Sequence, residues 1–374
     1  MLPIMVLAGF IIAAVSCSSY QATYHNARGL EHYRAGDAEA ALAEFRRAVE
    51  AYPEMPEAHN NLGLAWQALD EDERAIRSFR QALRLDHELA PAHFNLAWLY
   101  DELDRVPQAI KSYENALDLD ANDPDASVDL ARLLLREGRA AEALPYARRA
   151  VALADERADA WAVLGRALLP LAPAEAAVAL RRAVTLDPGD RTSALGLGEA
   201  YLEAGDLPSA ELQMRALVKA DPEWAEAYTA LGRVLEAAGR HGAAIGHLLQ
   251  ALELQPSNVP ARVSLGRVYS QLGLEEAAAA SFRQALAHDP DAAVAWEALA
   301  RLHREHGRLA DAEAAARRAV ELEPTVAAFV GELARVVLAA GRLDEARAHA
   351  RMAVELAPSA ERASWEELLR RTGP

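Results

Sequence analysis

Apolar residues in this chain recur at spacings of three and four rather than two, from about Ala22 to Pro358. That spacing predicts amphipathic helices and excludes strands. Over it lies a longer period of 34 residues, running ten times. A Gly or Ala preceded by Leu marks nine first helices at Gly63, Ala97, Ala131, Gly165, Gly198, Gly232, Gly266, Ala300 and Ala334; one step, from Gly165 to Gly198, is 33. A second column of Ala (Ala41, Ala75, Ala109, Ala143, Ala176, Ala210, Ala244, Ala278, Ala312, Ala346) is followed four residues later by Phe45, Phe79, Tyr113, Leu180, Met214, Leu248 and Phe282. Pro53 and Pro188, Pro222, Pro256, Pro290, Pro324 and Pro358 close their units.

These columns predict a helix, a tight turn and a second, antiparallel helix in every unit. Small residues belong where two helix backbones approach, and the bulky residue one turn on fills the space beside that contact. Gly36, Gly138, Gly205, Gly239, Gly273, Gly307 and Gly341 fall just after first helices, where a left-handed cap needs a residue without Cβ. Asp or Pro tends to start the next helix.

The segments NNLGLAWQALDEDERAIRSFRQALRLD from Asn60 and YTALGRVLEAAGRHGAAIGHLLQALELQP from Tyr228 carry the pattern in full. On these residues the chain resembles the tetratricopeptide repeat (TPR) family over most of its length. The resemblance implies an all-α fold, a right-handed α-solenoid of about ten helix-turn-helix repeats across 22–358, whose first helices line a concave groove. A single unit of 34 cannot bury its own apolar face, so stability comes from stacking neighbours and the ends need capping. The tail 359–374 supplies a predicted capping helix, Ser359 to Arg371, with Trp365, Leu368 and Leu369 on its apolar side.

Charge narrows the partners. The net charge of −17 argues against nucleic acid, since phosphate neutralisation needs a basic surface. Only Lys111 and Lys219 among the 39 basic residues are lysines, a skew that fits a GC-rich genome.

The first residues are of another kind. MLPIMVLAGFIIAAVS carries no charge and leads to Cys17, the only cysteine. An apolar run ending in small residues and a lone Cys resembles a bacterial lipoprotein signal, with Cys17 lipidated as the new N-terminus. The competing expectation is an uncleaved anchor, because no charge appears before Arg28. Either way residues 1–21 tether the repeats to a membrane, outside the cytoplasm. Ser18 after Cys17 favours, by resemblance to Gram-negative lipoproteins, the outer membrane and a periplasmic domain. With a single Cys, disulfides cannot stabilise the repeats.

Two surfaces are candidates for binding. One residue after the Gly/Ala column runs an arginine column, Arg132, Arg166, Arg233, Arg267, Arg301 and Arg335, interrupted by Glu199. By resemblance to the family this column faces the groove, where guanidinium forks would suit carboxylates. The alternative is an internal ladder with acids such as Glu236, Glu297 and Glu332. The second surface is N-terminal: Asn26, Asn60, Asn61 and Asn95 lie beside Tyr33, Phe94 and Trp98. Asn offers both donor and acceptor and can read the backbone of an extended peptide, while aromatics would supply contact energy. Asn61 and Asn95 match an asparagine ladder of the TPR regions of O-linked GlcNAc transferases, although the column lapses in later units and no transferase domain follows. The alternative is packing aromatics with solvated amides.

Little else suggests chemistry. His303 and His306 share a helix face without an evident third metal ligand, and no nucleophile elbow, phosphate loop or Cys pair is present. No catalytic residue, metal or cofactor is expected. One stretch breaks the pattern: Pro145 falls inside a second helix, Pro170 and Pro173 crowd a turn, Asp155 replaces the closing Pro and the deletion follows Gly165. A change of superhelical curvature is therefore expected between Leu144 and Pro188, dividing an Asn- and aromatic-rich groove from an Arg-lined one. The function expected is a non-catalytic scaffold on the cell envelope that binds extended or acidic segments of other proteins. The alternative is a component of polysaccharide export contacting an acidic polymer. Oligomeric state is not legible.

Overall fold

The computed structural model describes the backbone of residues 2–357 and 362–372, and side chains from residue 18 onward within those ranges. Among the described residues the chain forms 21 helices and no strand. Packing divides it into two compact units, Met1–Pro170 and Leu171–Pro374. The first holds α1 (Leu2–Arg34), α2 (Ala38–Ala51), α3 (Pro56–Gln67), α4 (Asp72–Leu85), α5 (Ala90–Glu102), α6 (Val106–Leu119), α7 (Pro124–Arg136), α8 (Ala140–Leu153) and α9 (Ala158–Leu168). The second holds α10 (Pro173–Leu186), α11 (Arg191–Glu203), α12 (Leu207–Ala220), α13 (Ala225–Ala237), α14 (His241–Leu254), α15 (Val259–Gln271), α16 (Glu275–His288), α17 (Ala293–Glu305), α18 (Leu309–Leu322), α19 (Ala327–Ala339), α20 (Leu343–Leu356) and α21 (Arg362–Arg371). Odd-numbered helices up to α19 are the first helices of ten repeats, and even-numbered ones the second.

The small column and the bulky column meet as their chemistry requires. A Cβ built on Gly63 would stand 2.5 Å from the ring of Phe79, and one on Gly232 would stand 2.6 Å from Leu248. Phe79 and Leu248 are fully buried as a result, each worth roughly 1.5–3 kcal/mol of transfer free energy. The alanines of the second column, Ala41 through Ala346, are likewise fully buried where second helices meet their neighbours.

All seven glycines expected at turns have positive φ, as at Gly36 (78°) and Gly239 (69°). Three repeats lack such a glycine, and two of them put Asp70 (φ 57°) and Asp104 (φ 54°) in the same conformation. Aspartate is among the few side chains that tolerate it. Helix starts follow the expected chemistry: the Asp37 carboxylate accepts from the Ala40 amide, Asp190 from Thr192 and Ser193, and Pro56, Pro124 and Pro173 each open their helices.

One boundary differs from the sequence reading. Helix α1 is continuous through the expected boundary between residues 21 and 22, joining the N-terminal run to the first repeat without a turn. Helix α8 also continues through Pro145 and is 14 residues long, as are α6 and α10. The lost amide costs one intrahelical bond but does not end the helix. The boundary between the two units falls at Pro170/Leu171, within the irregular stretch and between the two helices of the fifth repeat.

At the C-terminus α21 docks on α19 and α20. Trp365 and Leu368 are buried among Ala327, Val330, Ala334, Ala350 and Ala353, and Leu369 packs beside them. A Cβ on Gly331 would stand 2.1 Å from the Trp365 ring, so Gly331 leaves the space that the indole fills. Arg335 lies over the same ring, 4.7 Å from its centroid. The start of the expected cap, Ser359 to Glu361, lies outside the described residues, as does the Cys17 side chain.

Candidate protein-binding face

In the first unit, the asparagines of three successive first helices form one chain of amide hydrogen bonds. Asn61 Nδ2 donates to Asn26 Oδ1 at 2.9 Å, Asn60 Nδ2 to Asn61 Oδ1 at 3.4 Å, and Asn95 Nδ2 to Asn60 Oδ1 at 3.0 Å. Asn26, Asn60 and Asn61 are 9%, 6% and 8% exposed, so these are not solvated amides. They tie α1, α3 and α5 together, and the chain ends on an amide group at Asn26 and a carbonyl oxygen at Asn95. Phe94, half-buried, meets Tyr113 edge to face at 5.9 Å. Trp98, one turn beyond Asn95 on α5, is 39% exposed. Tyr33 packs partly buried beside Phe45.

The arginine column is largely engaged by the chain's own acids. Arg132 donates to Asp129 at 2.7 Å, Arg233 to Glu199 at 3.1 Å, and Arg335 to Glu332 at 3.3 Å. Arg301 is hydrogen-bonded to Glu297. Glu332 is completely buried and also takes Arg304 Nε at 2.6 Å. Arg166 is exposed and makes no ion pair with any described residue. Arg267 is the other exception: it stands 3.6 Å from Glu236, and its buried Nε has no hydrogen-bond partner. Glu236 instead accepts from Gln271 Nε2 at 3.2 Å.

Burial acts on the acids of this ladder. It pushes the Asp129 carboxyl above its usual range, against the pull of Arg132. Burial does the same to Glu236, opposed first by Arg267, and to Glu297, opposed first by Arg301. Low dielectric disfavours the charged form of each, and the nearby guanidinium offsets part of that cost.

Two cavities flank Arg267. One, of about 480 Å³, is lined by Arg233 and Arg267, by Val259, Val263 and Val294, and by the acids Asp289, Asp291 and Glu323. The other, about 190 Å³, lies between Arg267 and Arg301 beside Phe282.

His303 and His306 do not converge on a metal. His303 is buried and accepts from Arg308 Nε at 3.0 Å; His306 pairs with Glu275 at 3.2 Å and lies 2.8 Å from the Leu302 carbonyl through Nδ1. Among the described residues no cluster of three or more His, Cys, Asp or Glu could hold a metal ion.

A recurring device escaped the sequence reading. Trp161 Nε1 donates to the Asp155 carbonyl at 2.7 Å, Trp296 Nε1 to Pro290 at 2.8 Å, and Arg262 Nη2 to Pro256 at 2.7 Å. His59 and His93 bond the Pro53 and His87 carbonyls in the same way, six residues back. Side chains bearing N–H at one column of the first helix thus satisfy the carbonyl that ends the preceding repeat. The signal was present, a donor six residues after each of these closing positions, but it crosses residue types and forms no column of identity.

A solenoid of helical hairpins with polar columns on its first helices is the architecture of a protein–protein interaction scaffold. Models described as tetratricopeptide repeat match residues 26–93, 73–127, 94–158, 128–191, 172–223, 195–259 and 297–361, and a second repeat model matches 235–302. The chain belongs to the tetratricopeptide repeat family. Among solved structures it is similar to yeast Tom70, at 13% identity and TM-score 0.56 over 94% of this chain and 95% of that one. It is also similar to the APC/C hetero-tetramer Cut9–Hcn1 (15% identity, TM-score 0.49, 98% and 99% covered). YrrB, described as a TPR protein with an unusual peptide-binding site, matches at 23% identity and TM-score 0.38 over 58% of this chain and 95% of its own. No protein with a curated description matches.

Proposed function

We propose that this protein is a cell-envelope scaffold that holds extended segments of other proteins against its first helices and thereby assembles or localises a complex. The observation that carries the reading is the exposed Trp98, one turn from the end of the buried Asn26–Asn61–Asn60–Asn95 chain. The amides fix the first helices in register, the free carbonyl of Asn95 offers an acceptor to a partner's backbone, and the indole beside it offers apolar area. An acidic polymer is the weaker reading, because four of the six column arginines already donate to carboxylates of the chain. No continuous positive wall remains for it.

The envelope tether rests on residues 1–17 and the single Cys17. From Ser18 onward no helix is long and apolar enough to cross a membrane. Substituting Cys17→Ala and fractionating cells tests the tether. A lipid anchor predicts an unprocessed precursor and loss of labelling by a clickable fatty acid; an uncleaved anchor predicts no change in either. Binding is tested by crosslinking and capture from envelope fractions with the intact chain, with Trp98→Ala/Asn95→Ala, and with Arg233→Ala/Arg267→Ala/Arg301→Ala. A partner lost from either variant supports the reading, and identical partners from all three chains would contradict it.

A further inference from the structure

The arginine column is not uniform, and its departure from uniformity coincides with a cavity. Arg132, Arg233, Arg301 and Arg335 each donate a hydrogen bond to a carboxylate of the chain. Arg267 has only the 3.6 Å approach to Glu236, and its Nε is buried with no acceptor. The rest of the side chain is not shut away with Nε: as a whole it is 39% exposed and donates to no described residue, so its outer guanidinium nitrogens can take an incoming carboxylate. The 480 Å³ cavity beside Arg267 is walled by Val259, Val263 and Val294, with Val294 47% exposed. This is apolar surface next to an unsatisfied guanidinium.

The acids lining the cavity do not cancel that charge equally. Asp291 is held by Arg318 at 2.8 Å, and Asp289 accepts from the Asp291 amide within its turn at 3.0 Å. Asp289, which that amide leaves charged, and Glu323 remain as acids without an ion pair to any described residue. A dense polyanion would meet Asp289 and Glu323 and would leave the valines uncovered. A peptide with one carboxylate beside one aliphatic side chain satisfies both halves of the site.

We propose that the cavity between α15 and α17 is a two-part subsite for an acidic–aliphatic peptide segment, with the carboxylate on Arg267 and the aliphatic side chain against Val259, Val263 and Val294. The proposal rests on the scaffold reading and names the chemistry of one segment it would hold. Glu236 is the internal competitor for Arg267, so neutralising it exposes the guanidinium fully.

The test is fluorescence anisotropy on the full chain in detergent, with a labelled, blocked heptapeptide Gly-Ser-Asp-Leu-Asp-Ser-Gly as probe. Replacing Leu by Asn in the probe, or both Asp by Asn, is expected to weaken binding about tenfold in each case, the factor set by a single lost contact of ordinary strength. Arg267→Gln and Val294→Asn should each do the same to the unmodified probe, and Glu236→Gln should tighten it. This gain cannot come from misfolding. Polygalacturonate at equal carboxylate concentration should not displace the probe. The proposal is overturned by no binding of the probe, by equal binding of the Leu and Asn probes, by indifference to Arg267→Gln, or by displacement with polygalacturonate. If those results appear while the intact chain still captures envelope partners, only this subsite falls; if capture also fails, the scaffold reading falls with it.

Discussion

The two units use the same hairpin and both carry ion pairs on their first helices, Arg132–Asp129 and Arg136–Asp101 in the first, but the first unit adds a chain of amides. In the first, neutral amides from Asn26 to Asn95 bridge three helices, and their bonds are short-range and insensitive to salt. In the second, Glu199, Glu297 and Glu332 hold Arg233, Arg301, Arg304 and Arg335 through ion pairs. Such pairs must offset the cost of burying charge and weaken with salt where exposed. The lesson is that a column of identical residues can be structural at most positions and available for binding at a few, here Arg166 and Arg267, and only the partner of each residue tells which.

Breaking the charged end should have the largest effect. Glu332→Ala leaves Arg304 and Arg335 without their shared buried acceptor and should cost about 3–5 kcal/mol; Glu332 is fully buried. Hydrogen exchange in α17, α19 and α21 would localise the loss to the second unit. Trp365→Ala, which empties the space above Gly331, belongs to the same range of about 3–5 kcal/mol and should expose α19 and α20 to exchange.

The neutral counterpart is Asn60→Ala, which strands the Asn95 amide and the Asn61 carbonyl. An unpaired buried polar group costs roughly 1–3 kcal/mol. Urea denaturation at low and high salt sharpens the comparison. The Asn60→Ala loss should be the same at both, while the smaller loss from Glu199→Ala, whose pair with Arg233 is about a third exposed on both sides, should shrink with salt.

The smallest effect concerns pH. Burial raises the Glu297 carboxyl above the usual 4.5. Between 4.5 and the raised value the folded chain holds a proton that the unfolded chain has lost, so stability from this group falls as pH climbs through that window. Glu297→Gln should remove that part of the slope of Tm against pH. An unchanged slope would contradict the assignment. By contrast Arg267→Gln breaks no hydrogen bond of the chain but takes from Glu236 the charge that offsets its burial, and should cost less than Glu332→Ala.

Much of the fold was legible because a 34-residue period repeats its own evidence: helix pairs, small-to-large contacts and glycine caps all appear in column. The two repeats capped by Asp70 and Asp104 were harder to see, since aspartate also reads as a helix-start residue. The face was only partly legible. Arg132–Asp129, Arg301–Glu297 and Arg335–Glu332 lie three or four residues apart on one helix, a spacing visible in sequence. Asn26–Asn61, Asn60–Asn95 and Arg136–Asp101 are each 35 residues apart, the offset that brings adjacent first helices side by side. Reading the sequence with that offset would have found the amide chain. It would not have found the unpaired Arg267 Nε, because Glu236 lies within reach in sequence and is drawn instead to Gln271.

The most direct measurement is site-specific photocrosslinking in intact cells. A photoreactive residue would be placed at Trp98 or Val294, on first helices, and at Val178 or Leu212, exposed on second helices. The account predicts discrete protein adducts from the first pair and none from the second. Adducts confined to Val178 and Leu212 would contradict it and move the binding surface to the second helices.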